Sequence, residues 1–166
     1  MAHEGSQRGA AFDAFYLAHY SSVVRTTYLV VHDRAMAEDL AQDAFVQLYV
    51  HWPKVAAYEQ PQAWVRRVAI RLAVRAVRRN RHAADLAGLA TSNPPPAPER
   101  DMDLLRAVAT LPAAQRAAVV LYYYEDLPVA DVADALGRSQ GAVKLLLHRA
   151  RRTLGAMLEA AEANDG

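Results

Sequence analysis

The sequence predicts an all-α protein of two small helical domains joined by a proline-rich linker, and three observations carry that expectation. Ala, Leu, Arg, Val and Glu are abundant, and few stretches alternate apolar and polar residues with the two-residue period of strands. One segment, Thr91-Ser92-Asn93-Pro94-Pro95-Pro96-Ala97-Pro98, breaks the helical pattern; proline lacks an amide donor and fixes φ, so this stretch should run extended. The length of 166 residues suits one domain or two small ones, and a hydrophobic content of 53% is ample for a core. The expected division is a helical domain over 1–84, a linker over 85–100 and a second helical domain over 101–166. Domains this small bury a modest share of their surface and often lean on a partner.

A first helix is expected over Phe12–Val31, where Phe12, Phe15, Tyr16, His19, Val23 and Thr27 recur at steps of three and four. His32-Asp33-Arg34 makes a short break. A second helix should run from about Ala35 to His51 and end at Trp52-Pro53, burying Ala37, Leu40, Ala41, Ala44 and Leu48. Its opposite face carries Asp39, Gln42, Asp43, Val46 and Tyr49. Pro61 suits the first turn of a long third helix, where Trp64, Val65, Val68, Leu72 and Val77 alternate with arginines. Further on, Met102–Ala109 and Pro112–Tyr124 suit two more helices. Another starts at Leu127-Pro128, with Val129, Val132, Ala133 and Leu136 on one face. Gly137 fits a left-handed C′ position closing that helix, and Ser139 is a good N-cap for the last one. That last helix carries Val143, Leu146, Leu147, Ala150 and Leu154 on its inner face.

The formal net charge is only +1, but the charges are segregated. Seven arginines and no carboxylate lie between Gln60 and Ala84, and four arginines and a lysine, again without a carboxylate, between Gly137 and Thr153. Acids gather at Asp33, Glu38, Asp39 and Asp43, and at Glu99, Asp101 and Asp103. Such blocks suggest one surface for polyanions and another for basic partners. There is no cysteine, which excludes disulfides, thiolate metal sites and cysteine nucleophiles. The longest apolar run, Ala117–Tyr124, falls far short of the ~20 residues that span a bilayer. The N-terminus lacks the pattern of a signal peptide, so a cytoplasmic protein without membrane insertion is expected. No glycine-rich phosphate loop or metal-ligand cluster is present, and the six histidines are scattered, so neither an enzyme nor a cofactor is expected.

Three constellations point to function. Two helices joined by Gly137-Arg138-Ser139 make a helix-turn-helix, whose outer face holds Gly141, Leu145, His148, Arg149 and Arg152. Small Gly141 and Ala142 allow close approach to DNA, while Arg149, Arg151 and Arg152 suit phosphates. The plain alternative is a helical hairpin with a solvated basic face. On the third helix, Arg67, Arg71, Arg75 and Arg78 follow steps of four, four and three, so they share a face able to track a phosphate backbone. Trp52, Tyr58 and Trp64 lie close before it, and aromatic rings stack on unpaired bases, although Trp64 is better suited to the core. Last, Asp39 and Asp43 stand at i and i+4 without a third ligand at useful spacing. Their aliphatic and polar neighbours favour a protein-binding face over a metal site, with a solvated helix face as the alternative.

The runs that carry these features resemble a known family. Asp39-Leu40-Ala41-Gln42-Asp43-Ala44-Phe45-Val46-Gln47-Leu48-Tyr49-Val50-His51-Trp52 is similar to region 2.2 of extracytoplasmic-function (ECF) sigma factors. Pro61-Gln62-Ala63-Trp64-Val65-Arg66-Arg67-Val68-Ala69 with Arg78-Arg79-Asn80-Arg81 resembles regions 2.3 and 2.4. Leu111-Pro112-Ala113-Ala114-Gln115-Arg116, Gly141-Ala142-Val143-Lys144 and His148-Arg149-Ala150-Arg151-Arg152 resemble region 4. The likeness runs from about Phe12 to Leu158 in the family's order.

The resemblance implies a non-enzymatic factor that binds bacterial core RNA polymerase, recognises promoter DNA and assists strand opening. It places Asp39, Gln42, Asp43, Phe45, Val46 and Tyr49 in or beside the polymerase contact. Tyr58, Gln62, Trp64, Arg66, Arg67, Arg71, Arg75, Arg78 and Arg79 would meet the non-template single strand of the minus-ten element. A flipped base is captured there, at a few kcal/mol of unstacking that pocket contacts offset. Arg138, Ser139, Gln140, Gly141, Ala142, Lys144, Leu145, His148, Arg149 and Arg152 would meet the minus-thirty-five element as duplex. The family also implies an anti-sigma factor as partner; no sensory domain is expected after the last helix. One departure stands out: Leu145 and Leu146 occupy positions where the family often has a small polar residue and an arginine. Leu146 falls in the apolar stripe, and outward Leu145 suits only a thymine methyl or another apolar surface. Direct base reading is therefore expected to be weak, with shape and phosphates contributing more. The rival is a stand-alone helix-turn-helix regulator of duplex operators, which would not need the arginine-rich helix.

Overall fold

The computed structural model describes residues 2–87 and 100–164, all of whose regular structure is helical. The chain divides into two compact units, Met1–Ala73 and Val74–Gly166. Most of the expected linker, residues 88–99, lies outside the described residues.

In the first unit, α1 (Ala2–Val31) and α2 (Arg34–Val55) form a helical hairpin, and α3 (Pro61–Leu86) begins the third wall. The hairpin turn is two residues. His32 takes the left-handed position (φ 53°) and its N–H bonds to the Tyr28 carbonyl at 2.8 Å. Asp33 is extended, and its carboxylate accepts the Met36 N–H at 2.8 Å, capping α2. The predicted inward residues Ala37, Leu40, Ala41, Ala44 and Leu48 are all buried. They join Val23, Phe45, Trp52, Val55, Val65 and Ala69 in the core, ringed by Phe12, Phe15, Tyr16 and Tyr20. The buried hydroxyl of Thr27 donates to the Val23 carbonyl at 2.7 Å and so enters the core satisfied.

Two boundaries differ from expectation. α1 begins at Ala2 and not at Phe12. Its first ten residues lack apolar periodicity, but the Ala, Glu, Gln and Arg among them are good helix formers. α2 continues through Pro53 to Val55. Proline costs a helix about 3 kcal/mol in its interior. Here it stands in the last turn, and continuing the helix buries Trp52 and Val55, while Ala56 N–H closes the end on the Trp52 carbonyl at 2.9 Å.

In the second unit follow α4 (Arg100–Thr110), α5 (Ala113–Val119), α6 (Val129–Leu136) and α7 (Gln140–Asn164). The helix expected to reach Tyr124 is α-helical only to Val119 and then widens into a π turn over Val120–Tyr124, with Glu125 N–H on the Val120 carbonyl at 3.0 Å. The wider turn keeps Leu121 buried while Tyr123 and Tyr124 stand exposed. Between α4 and α5, the Arg116 guanidinium donates to the carbonyls of Ala109 (2.7 Å) and Leu111 (2.9 Å), satisfying the end of α4. Burial lowers the Arg116 pKa from its ordinary value.

The α6–α7 junction matches the sequence signals. Gly137 is left-handed (φ 62°), its N–H bonds to the Asp134 carbonyl at 3.2 Å and that of Arg138 to Ala133 at 2.9 Å, a Schellman closure. Ser139 Oγ accepts the Ala142 N–H at 3.1 Å and caps α7. A Cβ on Gly137 would meet nothing within 4 Å, so Gly137→Ala acts through φ alone. Urea unfolding of the full chain should show the second unit destabilised by about 1–2 kcal/mol. An unchanged midpoint would contradict the role given to this turn.

Candidate nucleic-acid and protein interfaces

The outward face of α2 combines acids with uncovered apolar groups. Asp39, Gln42 and Asp43 are exposed, and Val46 and Tyr49 are 64% and 62% exposed. Gln42 Nε2 reaches the Tyr20 hydroxyl at 3.5 Å, and the Tyr49 ring meets Phe12 edge-on at 5.0 Å. Phe45 differs from its neighbours: it is 3% exposed, against Tyr16 at 4.9 Å and Phe15 at 6.4 Å. It holds the face from beneath and does not form it. Isolated exposed apolar residues are ordinary, but a row of them along one acidic helix face suits a partner that is itself apolar and basic.

The turn after α2 presents Tyr58, whose N–H bonds to the Val55 carbonyl at 2.9 Å while its side chain is exposed. Gln62 is half-buried in the first turn of α3. Trp64 is also half-buried, packed on the core with its ring 5.4 Å from that of His51. The arginines of α3 separate into two groups. Arg66 Nη2 donates to Ser22 Oγ of α1 at 2.9 Å, and Arg67 is half-buried. Burial, with the charge of Arg66 second, lowers the pKa of His19 beside it. Arg71, Arg75, Arg78 and Arg79 are exposed, so the line able to track a strand begins at Arg71.

On α7, Val143, Leu147 and Ala150 are buried and Leu146 and Leu154 half-buried, as the periodicity predicts. Arg138, Ser139, Gln140, Gly141, Lys144, Leu145, His148, Arg149 and Arg152 are exposed, and Ala142 is half-buried. Arg151 makes contacts within the protein. Its Nε donates to the Tyr123 hydroxyl at 2.6 Å, and its guanidinium carbon lies 5.9 and 5.7 Å from the Tyr122 and Tyr123 ring centres. This arginine ties α7 to the π turn. The sequence held no signal for that contact, since it depends on the widened turn.

Among the described residues no helix is long and apolar enough to cross a membrane. No group of three or more His, Asp or Glu among them is placed to hold a metal ion.

Comparison with known proteins agrees with this geometry. Residues 15–83 match the family model "Sigma-70 region 2", and residues 101–154 match "Sigma-70, region 4". The RNA polymerase sigma-E factor of Streptomyces avermitilis is 31% identical over 159 residues, covering 89% of this chain and 85% of that protein. "Probable RNA polymerase sigma factor RfaY" of Xanthomonas campestris is 32% identical over 87% of this chain, which spans only 39% of that protein's length. Among solved structures, the sigma factor RpoE of Bartonella quintana, in complex with the anti-sigma factor NepR, superposes with a TM-score of 0.70. It covers 90% of this chain and 97% of RpoE at 21% identity, which establishes a shared fold. Further relatives carry the ECF designation. With both regions in the family's order and a relative matched along most of its length, the chain belongs to the sigma-70 family of RNA polymerase sigma factors, in its ECF group.

Proposed function

We propose that three surfaces of this chain divide the work of transcription initiation. The α2 face of Asp39, Gln42, Asp43, Val46 and Tyr49 docks on core RNA polymerase, with Phe45 as its support. Tyr58 and the exposed arginines Arg71, Arg75, Arg78 and Arg79 hold the non-template strand of the minus-ten element. Gln62 and Trp64 shape the base of that site, while Arg66 and Arg67 serve it from half-buried positions. The outward face of α7 binds the minus-thirty-five element as duplex. Residues 1–84 and 101–166 act as the two functional domains, with 85–100 connecting them, and the factor works in the cytoplasm. An anti-sigma factor masks these surfaces until a signal releases them; the complex of RpoE with NepR supports that reading.

The observation that carries this assignment is the arginine line on α3. Arg75, Arg78 and Arg79 are exposed at helical spacing, and like charges so placed repel one another unless an anion lies across them. A stand-alone operator-binding regulator has no use for such a line in its other domain. Arg71→Ala with Arg75→Ala, assembled with core polymerase, should bind a non-template minus-ten oligonucleotide with a log–log salt slope shallower by about 1.4, or 0.7 for each phosphate contact. Polymerase binding should persist. An unchanged slope would remove these arginines from the strand path.

A further inference from the structure

The face of α7 turned outward by the burial of Val143, Leu147 and Ala150 has an uncharged centre in the helix's first turns. At about 100° per residue, Gly141, Leu145 and Arg152 lie within about 20° of the line opposite Val143. A recognition helix meets base edges with its first turns. There the central line holds only Gly141, which has no side chain, and Leu145, which is 47% exposed. A Cβ on Gly141 would meet nothing within 4 Å, so nothing in the protein obstructs approach at that point. The core does not require a third leucine here, because Leu146 is half-buried and Leu147 buried beside it.

The surroundings decide what Leu145 faces. Lys144 and Arg149 flank it, Arg138 and Arg152 lie beyond, and no carboxylate occurs from Gly137 to Thr153. Such a field favours a polyanion over an apolar protein surface. Cations to either side suit the phosphates of the two strands and set the middle of the face against the groove floor. An isobutyl group can neither donate nor accept a hydrogen bond. The apolar feature that base pairs offer in the major groove is the C5-methyl of thymine.

We infer that Leu145 is the specificity-determining residue of α7 and reads a thymine methyl in the duplex promoter element. This rests on the assignment of α7 to duplex recognition above. Leu145 thereby selects thymine over cytosine at one position, since cytosine presents hydrogen where thymine presents methyl. Deoxyuridine pairs as thymine does but lacks the methyl, and 5-methylcytosine carries the methyl without thymine's O4.

The test uses the full chain assembled with bacterial core RNA polymerase. A duplex pool randomised over the upstream promoter element is selected for binding, and each thymine of the selected element is then replaced singly by deoxyuridine. One position should lose about fourfold in affinity, the weight of one buried methyl. Leu145→Ala should bind the thymine and deoxyuridine duplexes equally while keeping the same salt slope. At that position, 5-methylcytosine should recover part of what cytosine loses. If an element is selected but no thymine is sensitive, or Leu145→Ala keeps the sensitivity, Leu145 is not the reader. If no element is selected at all, the assignment of α7 to duplex fails, and this inference with it.

Discussion

Replacing Trp52 with alanine is expected to remove about 3–5 kcal/mol from the first unit, the usual range for deleting a buried large aromatic. Trp52 is 6% exposed and lies where α2 ends against α1, its ring 5.4 Å from Phe12 and 5.1 Å from Phe15. Both ring pairs are lost together with the buried area. A unit of about 70 residues holds roughly 4–10 kcal/mol in all, so this one change consumes a large part of it. Polymerase docking should fall with it, because the α2 face is displayed by this core. Trp64 is the one tryptophan left in the variant, and its fluorescence can follow urea unfolding of that unit. Tyr49→Ala, on the exposed side of the same helix, should cost about 1 kcal/mol or less, its loss being the edge contact with Phe12. Equal shifts in the two variants would contradict the core described for this unit.

The second large effect is expected at the acidic face. Asp39→Lys with Asp43→Lys reverses two exposed charges one turn apart on α2. Neither carboxylate is buried, so stability should stay within about 0.5 kcal/mol of the native chain. A partner surface chosen for acids would then meet like charge, which costs several kcal/mol when close. Affinity for core polymerase should fall by about 100-fold, while duplex binding by α7 keeps its salt slope. That combination distinguishes a lost contact from a lost fold.

Much of this arrangement was legible in the sequence because the deciding signals are local. The stripe Ala37, Leu40, Ala41, Ala44 and Leu48 follows from helical periodicity alone, and all five residues are buried. Gly137 and Ser139 announced the α6–α7 junction through backbone and capping chemistry that needs no tertiary context. What the sequence did not reveal depends on packing. Pro53 signals a helix end, but burial of Trp52 and Val55 carries α2 past it. The Ala-rich stretch before Phe12 shows no apolar face, yet it propagates from a helix already anchored downstream. Arg66 and Arg151 also make contacts that no local pattern announces, to Ser22 and Tyr123, 44 and 28 residues away in the chain. Phe45 sits among surface residues in the docking run, and its burial follows from the aromatic ring that α1 builds around it.

Docking on core RNA polymerase is proposed to use the acidic, apolar face of α2. The most direct measurement is gel filtration of the purified chain with bacterial core polymerase at micromolar concentration, alongside the Asp39→Lys, Asp43→Lys variant. The native chain should comigrate with polymerase, and the folded variant should elute alone. Comigration of the variant as complete as that of the native chain would remove this face from the contact. A folded native chain that failed to comigrate would contradict polymerase docking by this protein altogether.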